Sequence, residues 1–390
     1  MNQGKFVFSQ LTDFLPKRIF DGLVTKYNAN KYVRHFTCWN QLLCMVFGQL
    51  TGRDSLRDLM ISIEPHKPKY YHLGFGKGTS RSNFANSNEK RDCRVFEDFA
   101  YYLIDLARQS AIVDQDFQLN IDGNVYAFDS TTIDLCLSVF WWAEFRKTKG
   151  GVKMHTLYDI KTSIPSFIHI SSAKVHDVNV MDLLSYEPGG YYIFDRAYID
   201  YNRLFNLNKS LAYFVARAKD NIQFRRMYSK KVCKDTGVLL DQIGKLKGFY
   251  VSKKYPEKLR YIKYFDDETG NELEFLSNNF ELTAEDIAQL YKYRWKVELF
   301  FKWIKQHLKI KSFWGTSPNA VKIQIYSAII AYCLVALVRN KLKIDRSTYE
   351  ILQILSISLL DKTPIKELLT YQNYKDVKEL YCKQLKINWN

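Results

Sequence analysis

Three acidic residues stand in settings where a carboxylate can do chemistry. Asp129 closes the apolar run "VYAFD" and is followed by Ser130, Thr131 and Thr132. Asp195 closes "YYIFD" and is followed by Arg196. Glu298 lies in "YKYRWKVELFFKWIKQHLK", which begins at Tyr291, among cations and aromatic rings. A carboxylate at the tip of an apolar strand sits at a sheet edge, where α/β active sites form. Taken singly, each aspartate also reads as a turn or helix-capping residue, and Glu298 as half of a solvated i,i+4 pair with Arg294. Taken together they are a set of hard oxygen ligands for Mg²⁺, an ion held by one or two carboxylates plus water and substrate phosphate. Two such ions about 3.5–4 Å apart activate a water or a 3′ hydroxyl and stabilise the leaving oxygen at phosphorus. Cations a turn or two from the glutamate then hold phosphates rather than neutralise the ligand.

Each candidate needs an element to position it. Thr283 with Asp286 three residues on is a capping-box start, and no Pro or Gly interrupts the chain from there to Gly315, so one continuous helix is expected. At about 100° per residue, Tyr291, Arg294, Lys302, Lys305 and Lys309 fall within about 40° of Glu298. Leu299, Trp303, Phe300, Ile304, Val297 and Leu308 take the opposite arc, a wide apolar back behind a narrow charged front.

Residues 1 to about 110 carry helical apolar spacing. "CWNQLLCMVFGQL" and "SLRDLMISI", separated by Thr51-Gly52-Arg53-Asp54, form a helix–turn–helix-like pair. Arg81, Lys90, Arg91 and Arg94 follow among small polar residues, a mixture suited to DNA phosphate contact and equally to plain helix packing. From about 119 to 220 short β-runs dominate: "NVYAFDSTT", "VKMHTLYDI", "SFIHISSAKVH", "YYIFDRAY" and "LAYFVARAK". Ile164-Pro165 is expected to separate the second run from the third, and "NVMDLLSY" and "DYNRLFNLN" to form helices between the later strands. Three meandering strands followed by strand–helix–strand units predict a mixed α/β sheet covered by helices. Residues 209 to 277 read as more β-structure, including "KGFYVSKKY", and the chain ends in helices.

The net charge of +16 points to a polyanion, either nucleic acid or an acidic membrane surface. From Lys209 to Lys263 there are fifteen Lys/Arg against four Asp/Glu, so most of the excess sits in one segment. Lys230, Lys231, Lys253 and Lys254 are its candidate phosphate contacts. Seven scattered cysteines with no C-x-x-C pair suggest reduced thiols in a cytoplasmic protein. "MNQGKFVFSQL" lacks the apolar run of a signal peptide. The apolar stretch 325–338 is too short to span a bilayer and is expected to be a core helix, which leaves a membrane role little support.

The spacing Tyr291-x2-Arg294-x3-Glu298-x6-Lys305 resembles the Y-R-E-K signature of the bacterial insertion-sequence DDE transposases of the "IS-four" family. "FDS" at Asp129 and "FDRAY" at Asp195 resemble that family's two aspartate motifs, and "KMHTLYD", "AKVHD" and "FWGTSPNAVKIQI" are similar to its intervening sequence. The resemblance implies an RNase H-like catalytic core (119–208 and 278–340), a basic β-rich insertion (209–277), a helical N-terminal DNA-binding domain (1–110) and a helical C-terminal region (341–390). It implies Asp129, Asp195 and Glu298 as ligands of Mg²⁺, two ions with Mn²⁺ as a substitute. Tyr291, Arg294 and Lys305 are implied as DNA contacts near the cleaved end. The activity implied is hydrolysis at an element's terminal inverted repeats and joining of the 3′ ends to target DNA, by a homodimer, cut and paste, on the bacterial nucleoid. A catalytically silent DNA-binding repressor and an RNase H-like nuclease are the other readings. Hairpin-forming relatives stack an extruded base on a tryptophan of the insertion. This chain has no Trp between residues 143 and 294, so Tyr264 or Phe265 is expected to stand in. His155 and His176 are weaker candidates for assisting at the site. Asp122, in an Asp-Gly turn, and Asp134, beyond the strand end, are discounted. Arg196 is left between a phosphate and a neighbouring carboxylate.

Overall fold

Helical spacing in the first hundred residues becomes seven α-helices in the computed structural model, which describes residues 4–111, 116–146, 149–232, 234–310 and 312–370. They are α1 (Val7–Thr12), α2 (Lys17–Lys26), α3 (Cys38–Leu50), α4 (Leu56–Ile63), α5 (Tyr70–Leu73), α6 (Arg81–Lys90) and α7 (Arg94–Gln109). Short polar side chains start several of them: Thr37, Ser55 and Ser80 each accept a backbone N–H of the following turn.

The β-runs assemble into one sheet. β1 (Val125–Leu135), β2 (Glu144–Arg146), β3 (Lys149–Asp159) and β4 (Ile164–Ser172) form the meander, antiparallel throughout. β5 (Tyr191–Phe194) runs parallel to β1, and α8 (Tyr201–Lys209) carries the chain over to β6 (Tyr213–Arg217), parallel to β5. β7 (Phe224–Ser229), β8 (Val238–Leu246), α9 (Phe249–Lys254), β9 (Leu259–Asp266) and β10 (Asn271–Ser277) then extend the same sheet through the antiparallel pairing of β10 with β6. The order is β2-β3-β1-β5-β6-β10-β9-β8-β7, with β4 also on β3.

Strands with neighbours on both sides read as unbroken apolar runs, and all four residues of β5 are buried. Alternate side chains enter opposite cores. Ala127, Ile193 and Val215 join the larger core, whereas Phe128, Phe194, Phe214 and Ala216 join the smaller one. The larger core runs from Phe6 to Leu369 without a break. It takes in α12 (Pro318–Leu342), the apolar helix expected at 325–338, which is long and apolar enough to cross a membrane but is buried in protein here. The C-terminal helices α13 (Thr348–Ser358) and α14 (Ile365–Leu369) return to the start of the chain, where the Val7 and Phe8 amides donate to Asp361 and Leu359 carbonyls. Residues 371–390 of the expected C-terminal helices lie outside the described residues.

Several local expectations change. β1 does not end at Asp129: β3 pairs with it as far as Leu135, so Asp134 lies within the strand. Pro165 sits at the start of β4 beside a register shift rather than between strands, and the break falls at the tight turn before it, where Ser163 has φ +56. "KGFYVSKKY" forms the short helix α9 after Gly248, whose φ of +93 turns the backbone out of the ladder. β6 pairs with the parallel strands, so the basic segment begins inside the shared sheet.

The expected single helix after Thr283 is two. α10 (Ala284–Lys292) starts on the predicted capping box, and α11 (Trp295–His307) follows a tightened turn of i→i+3 bonds at Tyr293 and Arg294. Partners outside the helix set that turn: the Tyr293 hydroxyl accepts from the Gln118 amide and donates to the Asp116 carbonyl, each at 3.0 Å. Leu299, at the edge of the expected apolar arc, is exposed instead of buried.

Arg260, counted among the basic segment's cations, is a structural residue. Its guanidinium is buried against Asp241, with bonds of 2.9 and 2.7 Å, and donates to the Leu282 carbonyl at 2.6 Å, tying β8 and β9 to the approach of α10. Asp241→Ala would leave that charge buried and unpaired and should cost about 3–5 kcal/mol, read as a lower denaturation midpoint. Replacing both partners with apolar residues of similar volume should recover most of the loss. A single-variant midpoint equal to wild type would show the pair to be dispensable.

Candidate active site

Register brings the two aspartates together. Phe128 of β1 is the last residue paired with β5, opposite Phe194. Asp129 is the next residue of β1 and Asp195 the first residue after β5, at the ends of neighbouring strands about 4.8 Å apart. Both follow a phenylalanine of the smaller core, so both side chains fall on the opposite face, the one covered by α10 and α11. Glu298 enters that face from the first turn of α11.

Arg294 joins the set. Its Nη1 donates to Asp129 Oδ2 at 2.8 Å and its Nη2 to Glu298 Oε1 at 2.5 Å. The Tyr291 hydroxyl donates to Asp195 Oδ1 at 3.1 Å, and the Ser130 amide to Asp129 Oδ1 at 2.8 Å. Lys305 Nζ reaches Thr131 Oγ1 and, at 2.9 Å, the Thr132 carbonyl, on the stretch of β1 just past Asp129. All six residues singled out for this site therefore converge.

Charge is crowded here. Burial pushes the Asp129 carboxyl up to about 6; the Ser130 amide and Arg294 oppose this, and the charges of Glu298 and Asp195 add to it. Burial disfavours the charged form of Arg294, but Tyr291, Asp129 and Glu298 outweigh it and hold the guanidinium firmly protonated. Burial likewise raises the Tyr291 hydroxyl to about 12, so it stays a donor.

Among the described residues, no three Asp, Glu, His or Cys side chains are close enough together to hold one metal ion. The reason is visible: Arg294 lies between Asp129 and Glu298, and Tyr291 engages Asp195. The donors themselves fit a hard divalent cation. They are oxygen ligands only, and they are mutually repelling carboxylates whose charge one guanidinium offsets only in part.

A second polar group adjoins the first, and of its members His155 alone was singled out from the sequence. Asp177 accepts from Ser130 Oγ at 2.7 Å and pairs with Lys153 at 3.1 Å. His155 Nδ1 lies 3.6 Å from it. Its Nε2 is 2.8 Å from Ser171 Oγ, and burial pushes the imidazole down to about 4, so the ring is neutral and packed. Tyr198, the last residue of "FDRAY", is buried with its hydroxyl 3.5 Å from Asp129 Oδ1. Lys153 and Asp177 lie in "KMHTLYD" and "AKVHD", two strings that carry the family resemblance, and that was the available signal.

The remaining candidates divide by burial and pairing. Arg196 pairs with the Asp220 carboxylate at 3.1 Å. His176 and Asp122 are exposed. Arg91 is buried, donating to Gln41 Oε1 at 2.7 Å and to the Phe36 carbonyl, and so is not itself a phosphate contact. Arg81 and Lys90 are exposed on α6. Lys231, Lys253 and Lys254 are exposed, while Lys230 is half-buried and donates to the Phe280 carbonyl at 2.9 Å. Tyr264 and Phe265 are half-buried in β9; the exposed rings of the basic segment are Tyr228 and, beside Lys253, Phe249 and Tyr250. Of the cysteines, 38, 44, 93, 136 and 333 are free thiols, and 233 and 382 lie outside the described residues.

Residues 121–334 match the family model described as Transposase DDE domain, more than half the chain and the whole stretch from β1 to α12 that carries the three carboxylates. The chain belongs to that family. Residues 3–76 match a second model, described as a domain of unknown function (DUF4372). Among named relatives, transposase y4zB of Sinorhizobium fredii is 36% identical over 230 residues, 58% of this chain and 63% of that protein. A protein of Geobacillus stearothermophilus, named as a transposase for insertion sequence element IS5377, is 31% identical over 211 residues, 53% of this chain and 54% of its own length. One of Synechocystis, named as a transposase for insertion sequence element IS4SA, is 27% identical over 267 residues, 67% and 72% of the two chains. The first two matches thus span less than two thirds of the relatives' length. Within this DDE-domain chain, Asp129 on β1, Asp195 directly after β5 and Glu298 on α11 all lie inside the matched segment.

Proposed function

We propose that this chain is a DNA transposase that cuts at the terminal inverted repeats of an insertion sequence and joins the 3′ ends to target DNA by metal-dependent phosphoryl transfer, cut and paste. The observation that carries the reading is the β1–β5 register, which sets Asp129 beside Asp195 under Glu298 of α11. The strand order β4-β3-β1-β5-β6, antiparallel and then parallel, supports an RNase H-like core, with β7 to β10 as its basic insertion.

Asp129, Asp195 and Glu298 would hold Mg²⁺, with Mn²⁺ as a substitute. Bound divalent metal would supply an activated oxygen nucleophile and neutralise charge on the leaving oxygen. The rest falls to the chain's own residues. Arg294 is within reach of the site and carries two donors that a phosphate could take over from the carboxylates. Tyr291 orients Asp195 and Lys305 braces β1; both stand beside the path of a DNA end. The partner is DNA in a complex of two copies, in the cytoplasm on the nucleoid. Supercoiled plasmid and a labelled duplex of the element's end, incubated with protein and Mg²⁺, test the reading: nicking confined to the element end supports transposition. End binding without cleavage would point to a repressor, and cleavage without end preference to a nuclease.

Lys231, Lys253 and Lys254 should track DNA phosphates along the insertion. Reversing the charge of Lys253 and Lys254 should weaken binding and reduce the log–log salt slope by roughly 0.9 for each phosphate no longer neutralised. An unchanged slope in a fluorescence-anisotropy titration would place DNA elsewhere.

A further inference from the structure

The helical N-terminal region has one surface that its packing does not explain. A groove of about 680 Å³ runs between segment 27–36 and α6. Lys31, Arg34, His35 and Lys90 line it at the exposed rim and Arg91 at its floor. The acid among its lining residues, Asp92, is held by Arg94 at 2.6 Å. The groove is therefore strongly cationic.

Its second wall is chemically different. Asn83, Asn86, Ser87 and Lys90 of α6 line the groove, the i, i+3, i+4, i+7 stripe of one helix face. Three asparagines and two serines in ten residues are poor helix formers, so the composition is not there to stabilise the helix. The helix is held from behind. Phe84 is buried, Gln41 donates to Asn88 Oδ1 at 2.6 Å, and Asn319 donates to the Asn88 carbonyl at 3.0 Å. Among the described residues the side chains of Arg34, Asn86 and Lys90 have no hydrogen-bond or ion-pair partner, although each could make several, while the Asn83 amide nitrogen spends one of its two N–H groups on Thr79 Oγ1 at 2.6 Å. Tyr32, on the opposite wall, is 91% exposed with φ +60, a backbone state that costs a non-glycine residue about 1–3 kcal/mol and clusters at functional sites.

Rigid helix, outward amides and a facing row of cations are what reading duplex DNA requires. An asparagine amide can bond an adenine edge in two places in the major groove, whereas cations and a tyrosine hydroxyl beside it take the phosphates. We infer that α6 reads base edges of a double-stranded DNA site through Asn83 and Asn86, with Lys31, Arg34 and Tyr32 gripping the adjoining backbone. Arg91 is a positioning residue: it binds Phe36 of the segment and Gln41 of α3 and so fixes the groove's width. Part of the domain of unknown function, which ends at residue 76, thereby gains a role as one wall of a DNA-reading groove. The inference rests on the proposal that the chain's partner is DNA.

Selection of binding sites from a random duplex pool by the full chain, followed by sequencing, tests it. Wild type should enrich one motif. Asn86→Ala, at an exposed position, should lose discrimination at one or two adjacent base pairs by about 5- to 150-fold while keeping the rest of the motif. Lys31→Ala with Arg34→Ala should weaken all duplexes alike. Enrichment of the same motif with undiminished discrimination by Asn83→Ala/Asn86→Ala overturns the inference, as does wild type that enriches no motif or prefers single strands or RNA. Thermal unfolding checks that each variant is folded. Plasmid nicking by wild type is scored separately, so a failed catalytic reading and a failed base-reading helix give different results.

Discussion

Asp129→Ala, Asp195→Ala and Glu298→Ala should each lower metal-dependent strand cleavage by about 10³-fold or more while leaving DNA binding largely intact. Residues that act as one unit lose most of their effect when any member is removed, so the double variants should be hardly worse than the singles. The three enter from three places in the chain but share one charge balance: burial raises the Asp129 carboxyl, and the charges of Glu298 and Asp195 add to the rise. The Asn and Gln variants, nearly isosteric, should be close to as inactive as the alanines, because the neutral amide oxygen lacks the carboxylate charge through which Mg²⁺ is bound. Gel assays with Mg²⁺ and Mn²⁺ measure this, with thermal unfolding as the folding control. Cleavage at even a tenth of the wild-type rate by one variant would remove that residue from the site.

Removing the guanidinium should have the second largest effect. In Arg294→Ala, Asp129 and Glu298 lose the charge between them and repel each other in a partly buried setting. Leaving buried charge uncompensated costs about 3–5 kcal/mol, so the metal-free variant should unfold at a clearly lower temperature than wild type. Divalent metal should then reverse much of the loss. A ligand stabilises the folded state in proportion to how tightly it binds, and in wild type it must first displace Arg294 from two carboxylates. Addition of Ca²⁺ or Mn²⁺ should therefore raise the unfolding temperature of Arg294→Ala more than that of wild type, with Arg294→Lys between them. DNA cleavage should still fall, since the arginine is then missing where the phosphate needs it. Equal metal-induced stabilisation of wild type and variant would show that Arg294 does not compete for the carboxylates.

Much of this was legible in the chain. The apolar runs ending in Asp129 and Asp195 announced central strands, because a strand covered on both faces must be apolar throughout. The capping box at Thr283, the buried helix at 325–338 and the cationic character of the segment from 209 to 263 depended on local pairs or on composition, which act over a few residues. Arg91 and Arg260 were not legible. Each is an arginine in a basic, polar stretch, and only partners fifty and nineteen positions away, Gln41 and Asp241, make it structural. The kink before Glu298 was equally hidden, since Tyr293 is anchored by Asp116 and Gln118, far away in sequence.

The sequence by itself determined which side chains could serve: three carboxylates in order, the Tyr–Arg–Glu–Lys spacing, and an excess of positive charge concentrated in one segment. Side-chain chemistry and short-range periodicity do not depend on the rest of the fold. The tertiary structure alone decided that these groups meet. A parallel register that ends at Phe128 and Phe194 places the two aspartates abreast, and a one-residue slip would have turned one of them to the other face. The break at Tyr293 aims Tyr291 at one aspartate and Arg294 at the other. Such placement arises from long-range packing, where each interaction is worth little until the whole sheet and its covering helices are in place.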